Sequence, residues 1–226
     1  ELIDAMAKFK ATAATGLVMD VRNGEIISMV SLPDFNPNQP GDMRGDAAFN
    51  RATKGVYEMG STFKLFTAAM ALDSGTISMT DGYDASRPIR VSRFTIKDLH
   101  AKNRWLSVPE IILHSSNIGA AKMGVDVGGP AQRIYLDKFG MLEPIRLELP
   151  EVGTPLIPSV WRPINTMTMS YGYGISVSPV QVITGVTALV NGGIYRKPTL
   201  LKQRIPPMAG HQVIKPETSR KMRSLM

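Results

Sequence analysis

Gly60-Ser61-Thr62-Phe63-Lys64-Leu65-Phe66-Thr67-Ala68-Ala69-Met70-Ala71-Leu72-Asp73-Ser74-Gly75 is the stretch on which the reading of this chain turns. Its pattern predicts a helix over residues 61–73 that is apolar almost all round, through Phe63, Leu65, Phe66, Ala68, Ala69, Met70 and Leu72. Such a helix belongs in a core rather than on a surface. Gly75 stands where a C-terminal cap is expected. Ser61 and Lys64 are three apart and share one face of the opening turn. Their ordinary readings are an N-cap serine and a lysine that snorkels to solvent. The two readings compete, because Lys64 is ringed by Phe63, Leu65, Phe66 and Ala68, where an unpartnered ammonium is costly. Burial lowers a lysine pKa, and a neutral amine takes a proton from a neighbouring hydroxyl. The helix start also offers backbone N–H groups to an oxyanion. One turn can therefore supply a nucleophile, its base and half an oxyanion hole.

His114-Ser115-Ser116-Asn117 is the second polar cluster. Ser107-Val108-Pro109-Glu110 starts a helix, with proline near its first turn and glutamate suited to its positive end. That helix reaches Leu113 or His114. Ser115-Ser116-Asn117 interrupts it, and Ile118 to Val125 resumes a helical pattern. The Ser115 hydroxyl fits a proton relay between Lys64 and a leaving amine, and the Asn117 amide fits a hold on a substrate amide. The plain alternative is helix punctuation, since Ser and Asn are common cap and turn residues. Ser116 is given no role.

Around these clusters the chain alternates little. Residues 1–12 read as a short helix. Thr15–Val21 and Glu25–Ser31 are strand-like, and Asn23-Gly24 between them is a strong hairpin signal. Pro33 to Gly45 is loop, and residues 81–105 are loop with short strands. Pro130 to Phe139 is helical and closed by Gly140. The span from Met141 to Pro163 is proline-rich loop. Tyr171-Gly172-Tyr173-Gly174 contains a lone G-x-G, read as tight-turn glycines because the full dinucleotide fingerprint is missing. Val180 to Val190 is a long helix, residues 194–215 look extended and partly strand, and Pro216 to Met226 is a final helix. Strands early and helices in the middle make an α+β pattern rather than alternating βαβ units.

Composition narrows the class without choosing a function. The 226 residues are 43% hydrophobic and 20% charged, ordinary for a globular domain. No stretch approaches a membrane span. Cysteine is absent, which excludes disulfides and thiolate metal sites. The net charge of +7 is scattered, with the C-terminal end the most basic. No aromatic-interleaved basic stripe accompanies it, so no nucleic-acid partner is expected. The three histidines, His100, His114 and His211, show neither metal spacing nor a Ser-His-Asp order. Both chain ends read as cut.

Ser61-x-x-Lys64 and Ser115-x-Asn117 are two of the three motifs of penicillin-recognising serine enzymes. The third, K-[ST]-G, is absent from the sequence. Lys122-Met123-Gly124 and Lys138-Phe139-Gly140 match it by letter only, being helical and lacking the central hydroxyl residue. Beyond the motifs, Asp20 to Asn38, Asn50-Arg51-Ala52, Tyr57-Glu58-x-Gly60, Ser115 to Gly119, Tyr171 to Gln181 and Ala188 to Gly193 resemble the transpeptidase domain of class B penicillin-binding proteins. The resemblance is nearest to the septal, division-specific type and covers nearly the whole chain.

The resemblance implies the penicillin-binding, serine β-lactamase-like fold: an α+β domain over residues 1–226, with an antiparallel sheet, helices on its faces and a helical subdomain. It implies a domain truncated before K-[ST]-G, with its last strands, its membrane anchor and its N-terminal module absent, and of doubtful activity as it stands. It implies D,D-transpeptidation of peptidoglycan stem peptides, with Ser61 as nucleophile, Lys64 as general base, Ser115 as proton relay and Asn117 as substrate anchor. β-Lactams acylate Ser61 by the same route, and no metal or organic cofactor is implied. The parent is expected at the periplasmic face of the inner membrane, among division-machinery membrane proteins. A serine β-lactamase or D,D-carboxypeptidase is the nearest alternative, although no E-x-x-L-N-like segment is present to position a hydrolytic water. A non-catalytic penicillin sensor is the other.

Overall fold

Asn23-Gly24 reverses the chain as its sequence demands. Gly24 adopts φ 83°, and its N–H returns to the Asp20 carbonyl at 2.9 Å. The strands on either side, β1 (Ala14–Met19) and β2 (Ile26–Leu32), pair antiparallel from Ala14↔Leu32 to Val18↔Ser28, with an irregularity at Met19. These elements come from a computed structural model that describes residues 1–203 and 209–226, apart from the side chain of Asp42. α1 (Leu2–Phe9) packs on β1.

The helical part begins after loop 33–59. A 3-10 turn, Gly60–Thr62, feeds directly into α2 (Phe63–Ser74), which Gly75 closes at φ 76°. Ten of the twelve α2 residues are buried, as an all-round apolar helix requires. Phe63 and Phe66 meet edge-on at 5.5 Å, and Phe66 meets Phe139 at 5.2 Å. Four short strands follow: β3 (Gly82–Asp84), β4 (Ile89–Val91), β5 (Phe94–Ile96) and β6 (Trp105–Ser107). Ser107 and Glu110 then form a reciprocal capping box that starts α3 (Val108–Leu113). α4 (Asn117–Val127) and α5 (Gly129–Lys138) complete the central helices.

The two K-x-G strings lie where a helix reading puts them. Lys122 and Gly124 are in α4, Gly124 close against the Ser170 side chain. Gly140 follows α5 at φ 72°.

α6 (Pro163–Met169) is a helix the sequence pattern did not reveal. Its seven residues are too few to display a clear period. α7 (Pro179–Val190) starts at a second capping box, Ser178 with Gln181, and packs against β1. The expected extended region yields only β7 (Ile194–Tyr195) and β8 (His211–Gln212), and residues 204–208 within it lie outside the described residues. α8 (Pro216–Leu225) ends the chain's elements. Among the described residues the strands form four two-stranded antiparallel ladders, β1–β2, β3–β6, β4–β5 and β7–β8.

One buried carboxylate ties the ends of three helices together. Asp73, at the end of α2, accepts from Tyr135 Oη of α5 at 2.8 Å. It also accepts from the Lys215 N–H at 2.6 Å and Thr218 Oγ1 at 2.8 Å, so it caps α8 from another helix. Asp73→Ala strips three donors of their acceptor and is expected to destabilise the fold by about 3 kcal/mol. Urea denaturation checks this: the midpoint should fall with little change in slope, and an unchanged midpoint refutes it.

Candidate active site

Ser61 sits in the 3-10 turn ahead of α2, where its hydroxyl makes no capping bond. The turn is held from behind by the glycine loop 171–174. The Gly60 N–H donates to the Gly172 carbonyl at 3.1 Å. Gly172 has φ 86°, and a Cβ there would stand 1.9 Å from the Gly60 carbonyl oxygen. The G-x-G string is therefore a close backbone approach behind the serine, in keeping with the tight-turn reading. The Gly174 N–H donates to Glu58 Oε1 at 2.6 Å and ties the same loop to the residues before Gly60.

Lys64 follows in the first turn of α2 and is only 3% exposed, so the snorkelling reading fails. Its Nζ donates to Ser61 Oγ at 2.9 Å, to Ser115 Oγ at 2.8 Å and to the Ser115 carbonyl at 2.7 Å. Three acceptors match the three protons of an ammonium. Burial pulls its pKa from 10.5 to about 8, against the opposing pull of the Asp98 carboxylate. Ser115 Oγ in turn donates to Ser61 Oγ at 2.9 Å, closing a triangle of Ser61, Lys64 and Ser115.

The backbone explains how Ser115 reaches this triangle. The Ser116 N–H bonds to the Ile111 carbonyl at 2.9 Å and the Ser115 N–H to the Ile112 carbonyl at 3.1 Å. This is a Schellman termination of α3, whose left-handed position glycine usually fills. Here Ser115 fills it, at φ 54°. The departure turns the chain sharply and presents a hydroxyl where glycine has none. Ser116 then caps α4, its Oγ accepting from the Gly119 N–H at 2.9 Å.

Two residues of the site escaped the sequence reading. Asp98, between β5 and β6, accepts from Ser116 Oγ at 2.8 Å and from the Ile118 N–H at 2.9 Å. It therefore sits on the N-terminus of α4, close enough to Lys64 to favour its charge. Ser116 carried a usable signal, a serine just before a helical run. Asp98 carried none. Asn117 is placed at the start of α4, and its Nδ2 donates to the Lys97 carbonyl at 3.1 Å. Ser61, Ser115 and Asn117 open together into a cleft of about 500 Å³, which Lys97, His100 and His114 also line. The sequence left those two histidines dispersed, and the fold brings both to one cleft. His211 lies elsewhere, bonded to the Lys138 carbonyl at 2.9 Å.

A buried lysine bridging two serines at the starts of two helices is the arrangement that S-x-x-K and S-x-N anticipate. Residues 14–226 match the family described as the penicillin binding protein transpeptidase domain. The chain belongs to that family. It is 38% identical over its full length to a probable peptidoglycan D,D-transpeptidase FtsI of Caulobacter vibrioides, of which it covers 38%. It is 34% identical to a probable peptidoglycan D,D-transpeptidase PenA of Neisseria flavescens, of which it covers 56%. The chain thus spans between about two fifths and just over half of these relatives. Among solved structures it is similar to the apo transpeptidase domain of Burkholderia pseudomallei penicillin-binding protein 3. The TM-score is 0.88 at 30% identity, over 99% of this chain and 64% of that one. This likeness accords with the α+β penicillin-binding fold expected from the sequence.

The left-handed position separates the backbone role of residue 115 from its side-chain role. Ser115→Ala and Ser115→Gly both lose the hydroxyl, but only glycine is at ease at φ 54°. Ser115→Gly is expected to be the more stable of the two by about 1 kcal/mol. Thermal denaturation of the pair decides it, and equal stability would mean that the turn relaxes on substitution.

Proposed function

We propose that this chain carries the acyl-transfer centre of a peptidoglycan D,D-transpeptidase. The observation that supports this most directly is the hydrogen-bonded triangle of Ser61, Lys64 and Ser115 around a buried, pKa-lowered amine. Ser61 Oγ attacks the carbonyl between the two terminal D-alanines of a stem peptide and gives its proton to neutral Lys64 Nζ. The carbonyl oxygen becomes an oxyanion beside the 3-10 turn that opens α2, the positive end of the helix, which favours negative charge. The C–N bond then breaks. The proton passes from Lys64 through Ser115 Oγ to the departing D-alanine nitrogen, leaving an ester on Ser61.

An amine from a second stem attacks that ester and gives up its proton along the same path in reverse. The ester C–O bond breaks, Ser61 Oγ regains the proton, and a crosslinking amide replaces the one lost. Asn117 anchors the substrate amide beside Ser61. A β-lactam follows the first half of the path, its ring amide taking the place of the scissile bond. The balance of bonds and protons closes on these side chains and the two substrates.

The parent protein is placed by this reading at the periplasmic face of the inner membrane, in septal wall synthesis beside division-machinery membrane proteins. The family relationship supports that setting. Among the described residues, no helix is long and apolar enough to cross a membrane.

Two measurements on the full gene product test the proposal. Ser61→Ala should abolish covalent labelling by penicillin, and labelling that persists at another residue overturns the assignment. The second-order acylation rate should rise with pH and level off above about 8, because the neutral amine is the base and Lys64 gains it only near its lowered pKa. Asp98→Asn removes the carboxylate that holds the amine's pKa up, so the rise should move to lower pH. A shift to higher pH, or a flat profile, would show that Lys64 is not the titrating base.

A further inference from the structure

The cleft beside Ser61 has a wall the transfer chemistry does not use. Residues 97–100, just after β5, line it through Lys97 and His100, and His114 adds a third side chain from the end of α3. Lys97 and His100 are exposed and His114 is half-buried. Among the described residues, none of the three side chains has a hydrogen-bond or ion-pair partner. The segment that carries two of them is nevertheless pinned. Asp98 bonds to Ser116 Oγ and to the Ile118 N–H, and the Lys97 carbonyl accepts from Asn117. Three bonds to the start of α4 thus fix the segment next to the substrate-anchoring Asn117. The one carboxylate on this wall is spoken for, since both Asp98 oxygens already accept bonds from α4.

What remains facing the cleft is an ammonium and two imidazoles. An ammonium only donates, and an imidazole donates an N–H in either protonation state. Unpaired donors on a pinned segment lose little freedom when they bind, which favours a ligand group that only accepts. We propose that Lys97, His100 and His114 form a subsite for a carboxylate on the acyl-donor substrate, distinct from the group that reacts with Ser61. This rests on the transpeptidase reading, because that reading puts the acyl donor in this cleft. The substrate class is accordingly a stem peptide with a free side-chain carboxylate near its scissile bond, in preference to a neutral one.

Benzylpenicillin and carboxybenzylpenicillin differ only by a carboxylate in place of a hydrogen on the acyl side chain, so they isolate this group. The quantity to read is the ratio of their second-order rates of Ser61 acylation in the full gene product. The ratio is internal to each protein, so a variant that folds poorly does not distort it. Lys97→Gln with His100→Gln should lower the carboxybenzyl-to-benzyl ratio about fivefold, the scale of an exposed charge pair. Lys8→Gln, on α1, should leave it unchanged. An unchanged ratio in the double variant, or an equal fall in Lys8→Gln, overturns the subsite. If neither penicillin acylates, the transpeptidase reading is the one that fails. The His100 and His114 ring resonances then decide the subsite: a shift with carboxybenzylpenicillin and none with benzylpenicillin supports it, and equal responses overturn it.

Discussion

The burial of one amine sets the terms for the rest of this site. Lys64 stands in the first turn of a helix whose other residues are almost all in the core, so its ammonium has little access to water. A charge so placed needs as many acceptors as it has protons, and among the described residues Ser61 and Ser115 supply them. That requirement brings two segments 51 residues apart into register. The same requirement makes the serines reactive neighbours, because the group that satisfies the ammonium is the group whose proton the amine can take.

Meeting that requirement strains the backbone. Ser115 supplies both its carbonyl and its hydroxyl to Lys64 only because the chain turns through a left-handed residue between α3 and α4. Glycine would make the turn without strain and would keep the carbonyl, but not the hydroxyl. The cost for a non-glycine residue is on the order of 1–2 kcal/mol. It is offset by the two Schellman bonds and by the anchoring of α4 through Ser116 and Asp98. A local rule of helix termination is broken at the point where the proposed chemistry needs a side chain, while its neighbours keep to theirs.

Local rules made much of this legible beforehand. The apolar run 63–72, Asn23-Gly24, the proline and glutamate of 109–110 and the closing glycines each fix an element through nearest neighbours, and the elements fall where those signals lie. Ser61 and Lys64 were legible for the same reason: their spacing alone puts them on one turn. Ser115 and Asn117 were legible as a motif, but the left-handed turn that aims Ser115 was not, because serine carries no signal for positive φ. Asp98 and the meeting of His100 with His114 were not legible at all. Both depend on how a loop between short strands lies across a helix start, and neither loop nor strand has a period to read. α6 escaped for a related reason, being too short to show one.

The loop that sequence could not place also balances the amine that the proposed mechanism uses as its base. Lys64 lies at the positive end of α2, which disfavours its charge along with burial. Left to these effects alone, the amine would lose its proton too readily to return it to a leaving group. Asp98 counters them from the N-terminus of α4, where its carboxylate is itself stabilised by an N–H and a hydroxyl. A pKa of about 8 keeps most of the amine protonated at neutral pH and a useful fraction neutral. General acid–base work is most efficient when the group's pKa lies near the working pH. In the proposed mechanism the base is therefore tuned by a residue that touches neither the nucleophile nor the cleft's reacting atoms, and the Ser61–Lys64 pair cannot be understood from its own helix alone.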